Sequence, residues 1–121
     1  MITIRKVAIV TLGLFATLAS GAQAEVPSGD QIAAGRKFAQ LVCGACHVVT
    51  QNRDEVPILR PPAPSFAALA QRSSLTEQSL RELLGSNHRS LGPAAAMPNP
   101  RLADYQIDEI VAYILALKAA N

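Results

Sequence analysis

The sequence predicts an all-α domain, and three features of its 121 residues lead to that prediction. Apolar residues recur every three or four positions in three segments, which is the period of an amphipathic helix. No stretch shows the strict alternation of apolar and polar residues that is typical of a half-buried strand. Prolines gather in the two connections between the helical segments, where helix hydrogen bonding is not required.

Residues 1–24 have the features of a secretory signal peptide. A short basic region precedes an uncharged apolar run over residues 7–19, and an Ala-x-Ala sequence follows, which a signal peptidase recognises. A retained membrane anchor is the weaker alternative, because the run is shorter than the ~20 residues that a span needs. We therefore expect export, cleavage before Glu25, no membrane span after cleavage and one domain over residues 25–121.

Charge and composition limit the possible partners. Without Arg5 and Lys6 of the leader, the remaining basic residues of the 11 in the chain balance its 9 acidic residues. No basic cluster with interleaved aromatic residues occurs, so we expect no nucleic-acid partner. The chain has no Trp, so aliphatic side chains must form most of the core, and a large apolar cofactor would add to it.

The first helix is predicted from about Asp30 to Cys43, with Ser28 or Asp30 as its N-cap. Its apolar face would consist of Ile32, Gly35, Phe38, Ala39 and Val42. Residues 48–65 follow as an irregular or extended loop, because this stretch holds four of the 8 prolines.

A second helix is predicted from about Ser74 to Gly85. Ser74 and Glu77 fit a capping box, and Thr76 is the competing cap. Its apolar face would consist of Leu80, Leu83 and Leu84. A short helical turn at residues 66–70 is compatible with the sequence ahead of this helix.

Residues 86–101 are predicted to be a second loop, and the last helix begins after Asp104. Asp108 and Glu109 are expected in its first turn, with Lys118 near its C-terminus, because both placements complement the helix dipole. Its buried side would consist of Ile107, Ile110, Val111, Ile114, Leu115 and Leu117.

The pentad C-G-A-C-H at residues 43–47 holds both cysteines of the chain. In an exported chain this pattern indicates covalent attachment of haem c. The thiols of Cys43 and Cys46 would each add across one vinyl group, and the adjacent His47 would bind the iron as proximal ligand. The two small residues between the cysteines would let the backbone lie close to the porphyrin.

Two other sites use the same residue types. A disulfide suits an oxidising compartment, but thioredoxin-like chemistry needs a βαβ context that the sequence lacks. A structural zinc site needs four ligands. The mature chain offers only Cys43, Cys46, His47 and His88, at a poor spacing. Both are weaker alternatives than haem c.

Met97 is the candidate for the second axial ligand of the iron. It is the one methionine of residues 25–121 and lies among small residues and prolines in the second loop. A thioether is a soft, neutral ligand that favours reduced iron and raises the potential. His88 competes with it for a bis-histidine site. An open five-coordinate iron, with Met97 filling a gap in the core, is the remaining alternative.

The ordered set of motifs resembles the class I monohaem c-type cytochromes, most closely the short bacterial periplasmic ones. The matching parts are G-x-x-F-x-x-x-x-C-x-x-C-H at residues 35–47, Pro64 and Phe66, Met97 and Pro98, and D-E-I-V-A-Y-I-L-A-L at residues 108–117. The resemblance implies the cytochrome c fold, with three to five helices around one covalently bound haem. It also implies that the first and last helices cross, with Gly35 at the close approach and Tyr113 packed there.

The resemblance implies further roles near the haem. A loop proline carbonyl accepts the ring N–H of the proximal histidine in this family, and Pro64 is the matching residue. The helix-contact aromatic of the family often lies where this chain has Ala39, with Phe38 one place away. Residues 53–55 are expected to cover a haem edge or to touch a partner. With no Trp to hold a propionate, an arginine is the alternative, although a solvated surface position is the simpler expectation for Arg53, Arg60, Arg89 and Arg101.

The resemblance therefore implies a periplasmic one-electron carrier rather than an enzyme, because two strong axial ligands leave no site for substrate. Redox donor and acceptor proteins would dock weakly at the exposed haem edge, near Cys46 and residues 94–96, and the carrier would be a monomer. One alternative is a haem subunit of a dehydrogenase or oxidase complex. Another is a gas- or peroxide-binding protein in which Met97 leaves the iron and His88 or Arg89 assists.

Overall fold

The computed structural model describes residues 26–52, 54–86 and 97–120. These residues form four helices: α1 (Gly29–Cys43), α2 (Phe66–Ala70), α3 (Glu77–Gly85) and α4 (Asp104–Ala119). The described residues contain no named strand, and one isolated parallel bridge joins His47 to Ala63. The all-α prediction is therefore confirmed, including the short turn that becomes α2.

Ser28 caps α1. Its side chain accepts a hydrogen bond from Gln31 N at 3.2 Å, so the helix begins at Gly29, and Asp30 lies in the first turn instead of capping it. A carboxylate in that turn still interacts favourably with the helix dipole. At the other end Gly44 keeps helical angles, and the chain continues in a turn that carries the C-x-x-C-H motif.

The packing of α1 on α4 is close enough to require glycine at position 35. A Cβ atom on Gly35 would lie 1.8 Å from Glu109 O, far inside van der Waals contact. Ala39, one turn further along α1, is completely buried. The predicted close approach of the first and last helices at Gly35 is thus confirmed, and a small residue occupies the site where an aromatic is often found.

Helix α3 is capped by Thr76, so the expected box between Ser74 and Glu77 was wrong. Thr76 Oγ1 accepts from Ser79 N at 3.0 Å, and Ser79 Oγ accepts from Thr76 N at 2.9 Å. The competing cap therefore forms the reciprocal pair, with a serine hydroxyl in place of the glutamate. Ser65 caps the shorter α2 in the same way, accepting from Ala68 N at 3.1 Å.

Helix α4 begins at Asp104, which alone of the acidic residues lies in its first turn. Asp108 and Glu109 are the fifth and sixth residues of the helix, just beyond its first turn, so their expected place in that turn was wrong. Asp108 instead accepts a hydrogen bond from Arg81 of α3, and Lys118 donates to Leu75 O at 2.8 Å. These two contacts fix α3 against α4.

The core lies where α4 meets the other three helices. Among the described residues the buried apolar side chains are Ala39, Val49, Phe66, Ala70, Leu80, Leu84, Ile107, Ile110, Val111, Ala112, Tyr113 and Ile114. Leu115 and Leu117 pack against this cluster but are only partly buried, and Leu83 and Val42 are exposed. Half of this buried set comes from α4, more than from any other helix.

Candidate haem attachment site

The C-x-x-C-H motif occupies one turn of chain directly after α1. Cys43 is the last residue of the helix, and its carbonyl accepts from Cys46 N at 3.1 Å and from His47 N at 2.9 Å. These bonds bring two thiols and an imidazole together on a single turn. Gly44 makes the turn possible, because a Cβ there would lie 2.4 Å from Gln40 O.

Both cysteines are free, half-buried thiols. Burial, followed by the proximity of Cys46, raises the pKa of the Cys43 thiol to about 11. The thiol is therefore protonated at neutral pH. Cys43 and Cys46 would hold a haem through two thioether bonds, each made by adding an S–H group across one vinyl group.

The His47 ring is held by the proline loop. Its Nδ1 lies 2.7 Å from Pro64 O. A carbonyl can only accept, so Nδ1 carries the hydrogen and Nε2 keeps its lone pair for a metal. Sequence reasoning expected this acceptor from the resemblance, and the structure brings the two residues together.

The backbone on both sides of this contact is paired. Ala63 N donates to Cys46 O at 2.9 Å, and Phe66 N donates to Val48 O at 3.0 Å, so residues 63–66 run alongside residues 46–48. These two backbone hydrogen bonds hold Pro64 O next to the His47 imidazole. The prolines of the loop allow the pairing, because the N–H groups that donate belong to non-proline residues.

An aromatic contact orients the imidazole. The Phe66 ring is buried and meets the His47 ring edge-on, with centroids 5.6 Å apart and planes at 63°. Tyr113 of α4 lies behind it, with its centroid 6.3 Å from that of Phe66. The three rings connect His47 to the last helix, and edge-to-face packing of this kind is geometrically specific.

The hydroxyl of Tyr113 adds a second connection. It donates to Val49 O at 3.0 Å, two residues beyond His47, and Val49 is only 1% exposed. Burial, modified by the opposing charges of Arg36 and Glu55, raises the pKa of Tyr113, so the phenol remains a donor. The resemblance implied that Tyr113 packs at the helix crossing, whereas the contacts observed for it are with Phe66 and with the backbone of Val49, two residues after the motif.

Comparisons of the chain with curated proteins and with solved structures found no match. A family model described as Cytochrome c does match, over residues 32–118. The chain belongs to the cytochrome c family. Covalently bound haem c is therefore the cofactor of this cytochrome, and the spacing of Cys43 and Cys46 suits two thioether bonds.

The residues of this cytochrome fit a haem group. Two thiols, one imidazole with a free Nε2 and a nearby apolar surface are the chemistry that haem c requires. Ile58 N and Leu59 N both donate to Ala45 O, at 2.9 and 3.1 Å, which places apolar residues beside the motif. Together with Leu41 and Val42 at the end of α1, these side chains are exposed and apolar.

Met97 lies half-buried against the hydrophobic core at the start of the segment before α4. Two residues later Asn99 Oδ1 accepts from Arg101 N at 2.8 Å, and Arg101 takes a φ of 51°. That φ is uncommon for a residue with a side chain. Met97 is thus packed on the core two residues ahead of this turn.

Glu55 has contacts that sequence reasoning did not find. It turns back towards α1 and residue 50, where its carboxylate accepts from Gln40 Nε2 and Thr50 N. Burial opposes its charge, but bonds from Gln40 and from both the backbone and side chain of Thr50, together with Arg36, hold its pKa below the usual range. The polar run T-Q-N-R-D-E indicates a local turn, because Thr and Asn side chains bond backbone two residues on, but it gives no signal for the contact with Gln40.

The described arginines among the other predicted residues form no hydrogen bond with the motif, and the rest lie outside the described part. Arg60 donates to Pro57 O within its own loop, and Arg101 is exposed. The leader, Arg53, His88, Arg89 and residues 94–96 all lie outside the described residues. Within the described ranges no group of three or more His, Cys, Asp and Glu side chains is arranged to hold a metal ion, and no helix is long and apolar enough to cross a membrane.

Proposed function

We propose that this cytochrome is a periplasmic one-electron carrier whose haem iron is held by His47 and Met97. The observation that carries the proposal is the 2.7 Å contact between His47 Nδ1 and Pro64 O, because it leaves Nε2 available to iron. The bound haem supplies one-electron chemistry at its iron, which the protein residues bind and tune.

The residues around His47 support a fixed proximal ligand. Hydrogen bonding to Pro64 O increases the basicity of the imidazole and fixes its tautomer. Contact with Phe66 restrains the ring plane, and Cys43 and Cys46 would tie the same turn to the porphyrin. A ligand held in this way changes little in position when the oxidation state of the iron changes, which suits rapid electron transfer.

Met97 supports the second half of the ligand pair. It is half-buried and packs on the core, which supports a defined position for its thioether. A thioether ligand raises the potential of haem iron relative to a second histidine. Two protein ligands would leave no iron position open to a substrate, which favours a carrier over an enzyme.

Export and partner docking complete the proposal. The leader at residues 1–24 has the arrangement of a cleavable signal peptide, and haem c attachment accords with an exported protein. The exposed surface at Ala45, Ile58 and Leu59 lies beside the motif, where a redox donor or acceptor protein would approach the haem edge. Weak, small encounters are typical of such partners.

The ligand pair is tested by the visible spectrum of the purified holoprotein, oxidised and reduced, extended into the far red. We expect a low-spin spectrum with the weak sulfur-to-iron charge-transfer band. Met97→Ala should keep the haem covalently attached, lose that band and bind added imidazole or carbon monoxide.

Leu102→Ala is the matched control, because Leu102 is also partly buried against the core in the same segment and has no ligand atom. It should keep the band. If the charge-transfer band survives in Met97→Ala, Met97 is not a ligand of the iron. A high-spin wild-type spectrum would favour a ligand-binding haem protein over a carrier.

A further inference from the structure

The carboxylate of Glu55 connects the two ends of the haem-binding segment. One oxygen, Oε1, accepts from Gln40 Nε2 on α1, three residues before Cys43. The other, Oε2, accepts from Thr50 N at 3.0 Å, three residues after His47. The motif therefore lies within residues 40–50, and the Glu55 side chain joins the two ends of this stretch.

We propose that Glu55 is a positioning residue, which closes residues 40–50 and thereby sets the orientation of the His47 imidazole. This role depends on His47 being an iron ligand, as proposed above. It is independent of whether Met97 is the other ligand.

The first reason is that Glu55 binds the backbone of Thr50, just after the C-x-x-C-H motif. Thr50 is 7% exposed and Val49 is 1% exposed, so their backbone groups have little access to water. Tyr113 OH bonds Val49 O from the side of α4, and Glu55 bonds Thr50 N from the loop. Without the carboxylate, the Thr50 amide would lose its acceptor in a place where an unpaired donor is costly.

The second reason is that Glu55 lies between the histidine and its acceptor along the chain. His47 and Pro64 are separated by 17 positions, and their contact needs the two stretches that carry them to stay in register. Glu55 fixes the first part of this connection to α1. A turn of side-chain bonds, Asn52 N to Thr50 Oγ1 at 3.1 Å and Asp54 N to Asn52 Oδ1 at 3.3 Å, directs it there.

The third reason is the match of donors and acceptors. The hydrogen-bond partners of the carboxylate donate to it: the amide of Gln40, and the backbone and side chain of Thr50. Arg36, on α1, adds a favourable charge. An ionised carboxylate supplies two accepting oxygens and a negative charge, whereas an amide supplies one accepting oxygen and no charge. Whichever way the Gln40 amide turns, Glu55→Gln would therefore replace charge-assisted hydrogen bonds to Gln40 and Thr50 with weaker neutral ones.

The experiment compares oxidised holoproteins by paramagnetic proton NMR, in which the spread of the haem-methyl shifts reports the orientation of the axial ligand planes. We expect Glu55→Gln to change that spread. The double variant Gln40→Glu with Glu55→Gln exchanges amide and carboxylate, so the amide at position 55 can donate to the carboxylate at position 40 and accept from Thr50 N. It should restore the wild-type spread.

Asp54→Asn is the matched control, because it removes an exposed carboxylate from the adjacent position of the same turn and should leave the spread unchanged. If Glu55→Gln fails to yield holoprotein, Gln40→Leu takes its place, since it removes one donor from an exposed position and should also change the spread.

A merely structural role would give a different pattern. Glu55→Gln, or Gln40→Leu in its place, would then lower the free energy of unfolding while the methyl spread stayed as in the wild type, and the proposal would be wrong. A spread that changes in Glu55→Gln but is not restored by the exchange would also overturn it. The charge-transfer band of the wild type tests the function separately, because it reports Met97 and not Glu55.

Discussion

At the scale of single residues, the hydrogen bond from the Tyr113 hydroxyl to Val49 O is expected to stabilise the folded protein. Tyr113→Phe keeps the ring against Phe66 but removes the donor to Val49 O, leaving a buried carbonyl without that partner. We expect the free energy of unfolding of the holoprotein to fall by about 1–2 kcal/mol. Denaturant unfolding at neutral pH measures it.

Tyr105→Phe is the control for that substitution. Tyr105 is 63% exposed on the same helix, so loss of its hydroxyl should change stability by no more than about 0.5 kcal/mol. Equal effects of the two substitutions would mean that the Tyr113 hydroxyl contributes nothing beyond an ordinary surface hydroxyl.

The same scale shows why some site residues were predictable and others were not. Cys43, Cys46 and His47 lie within five consecutive residues, so the haem-attachment motif can be recognised from the local sequence alone. Pro64 could be found only through the resemblance, because no local pattern distinguishes it from the neighbouring loop prolines. Glu55 was expected at a haem edge or a partner surface, since nothing in the sequence shows that residues 40 and 50 would both face it.

At the scale of elements, the approach of α1 to α4 depends on Gly35. Gly35→Ala would bring a Cβ to 1.8 Å from Glu109 O, and backbone cannot move aside as a flexible side chain can. The helices would have to separate along the core. We expect a loss of at least about 3 kcal/mol in the free energy of unfolding, at the upper end of overpacking effects.

Gly29→Ala provides the contrast on the same helix. A Cβ at Gly29 meets nothing within 4 Å, and alanine is the better helix former. This variant should be neutral or more stable by up to about 1 kcal/mol in the same denaturant experiment. A Gly35→Ala protein as stable as Gly29→Ala would show that the close approach does not govern the packing.

Helix ends explain most of what the sequence misplaced at this scale. Ser74 and Thr76 are both good caps two residues apart, and the choice between them depends on where the leucines of α3 meet α4. In the structure Thr76 is the cap. With the helix starting there, Leu80 and Leu84 are buried, and Ser79 Oγ accepts a hydrogen bond from Thr76 N. Such a choice depends on tertiary packing, which the local pattern does not contain.

At the scale of the whole molecule, the fold class followed from the sequence because α4 and α1 are long and strongly periodic. The contribution of a large apolar cofactor to the core stays a prediction; among the described residues, the buried aromatic side chains of the core are Phe66 and Tyr113. What the sequence did not show is how the long loop is attached to both helices: through Glu55 to α1 and through Val49 to Tyr113 on α4. These contacts join residues far apart along the chain.

That attachment makes the stability of the molecule sensitive to acid. Hydrogen bonds from Gln40 and Thr50 outweigh the effect of burial and lower the pKa of Glu55 in the folded protein. In the pH range between its folded and unfolded pKa values the unfolded chain binds the extra proton. The contribution of Glu55 to the stability of the folded protein is therefore fully present above about pH 4.3, the ordinary pKa of glutamate. It is lost as the pH falls through the pKa of Glu55 in the folded protein.

We therefore expect the stability difference between wild type and Glu55→Gln to be largest near neutral pH and to shrink steadily below about pH 4.5. Denaturant unfolding of both holoproteins at a series of pH values from about 7 to about 3 measures it, with Asp54→Asn as the control for loss of a neighbouring exposed carboxylate. A difference that stays constant or grows in acid would mean that the ionised carboxylate is not what holds the loop to α1. The convergence of the two curves would identify a single charge that couples the loop, the first helix and the haem-binding turn.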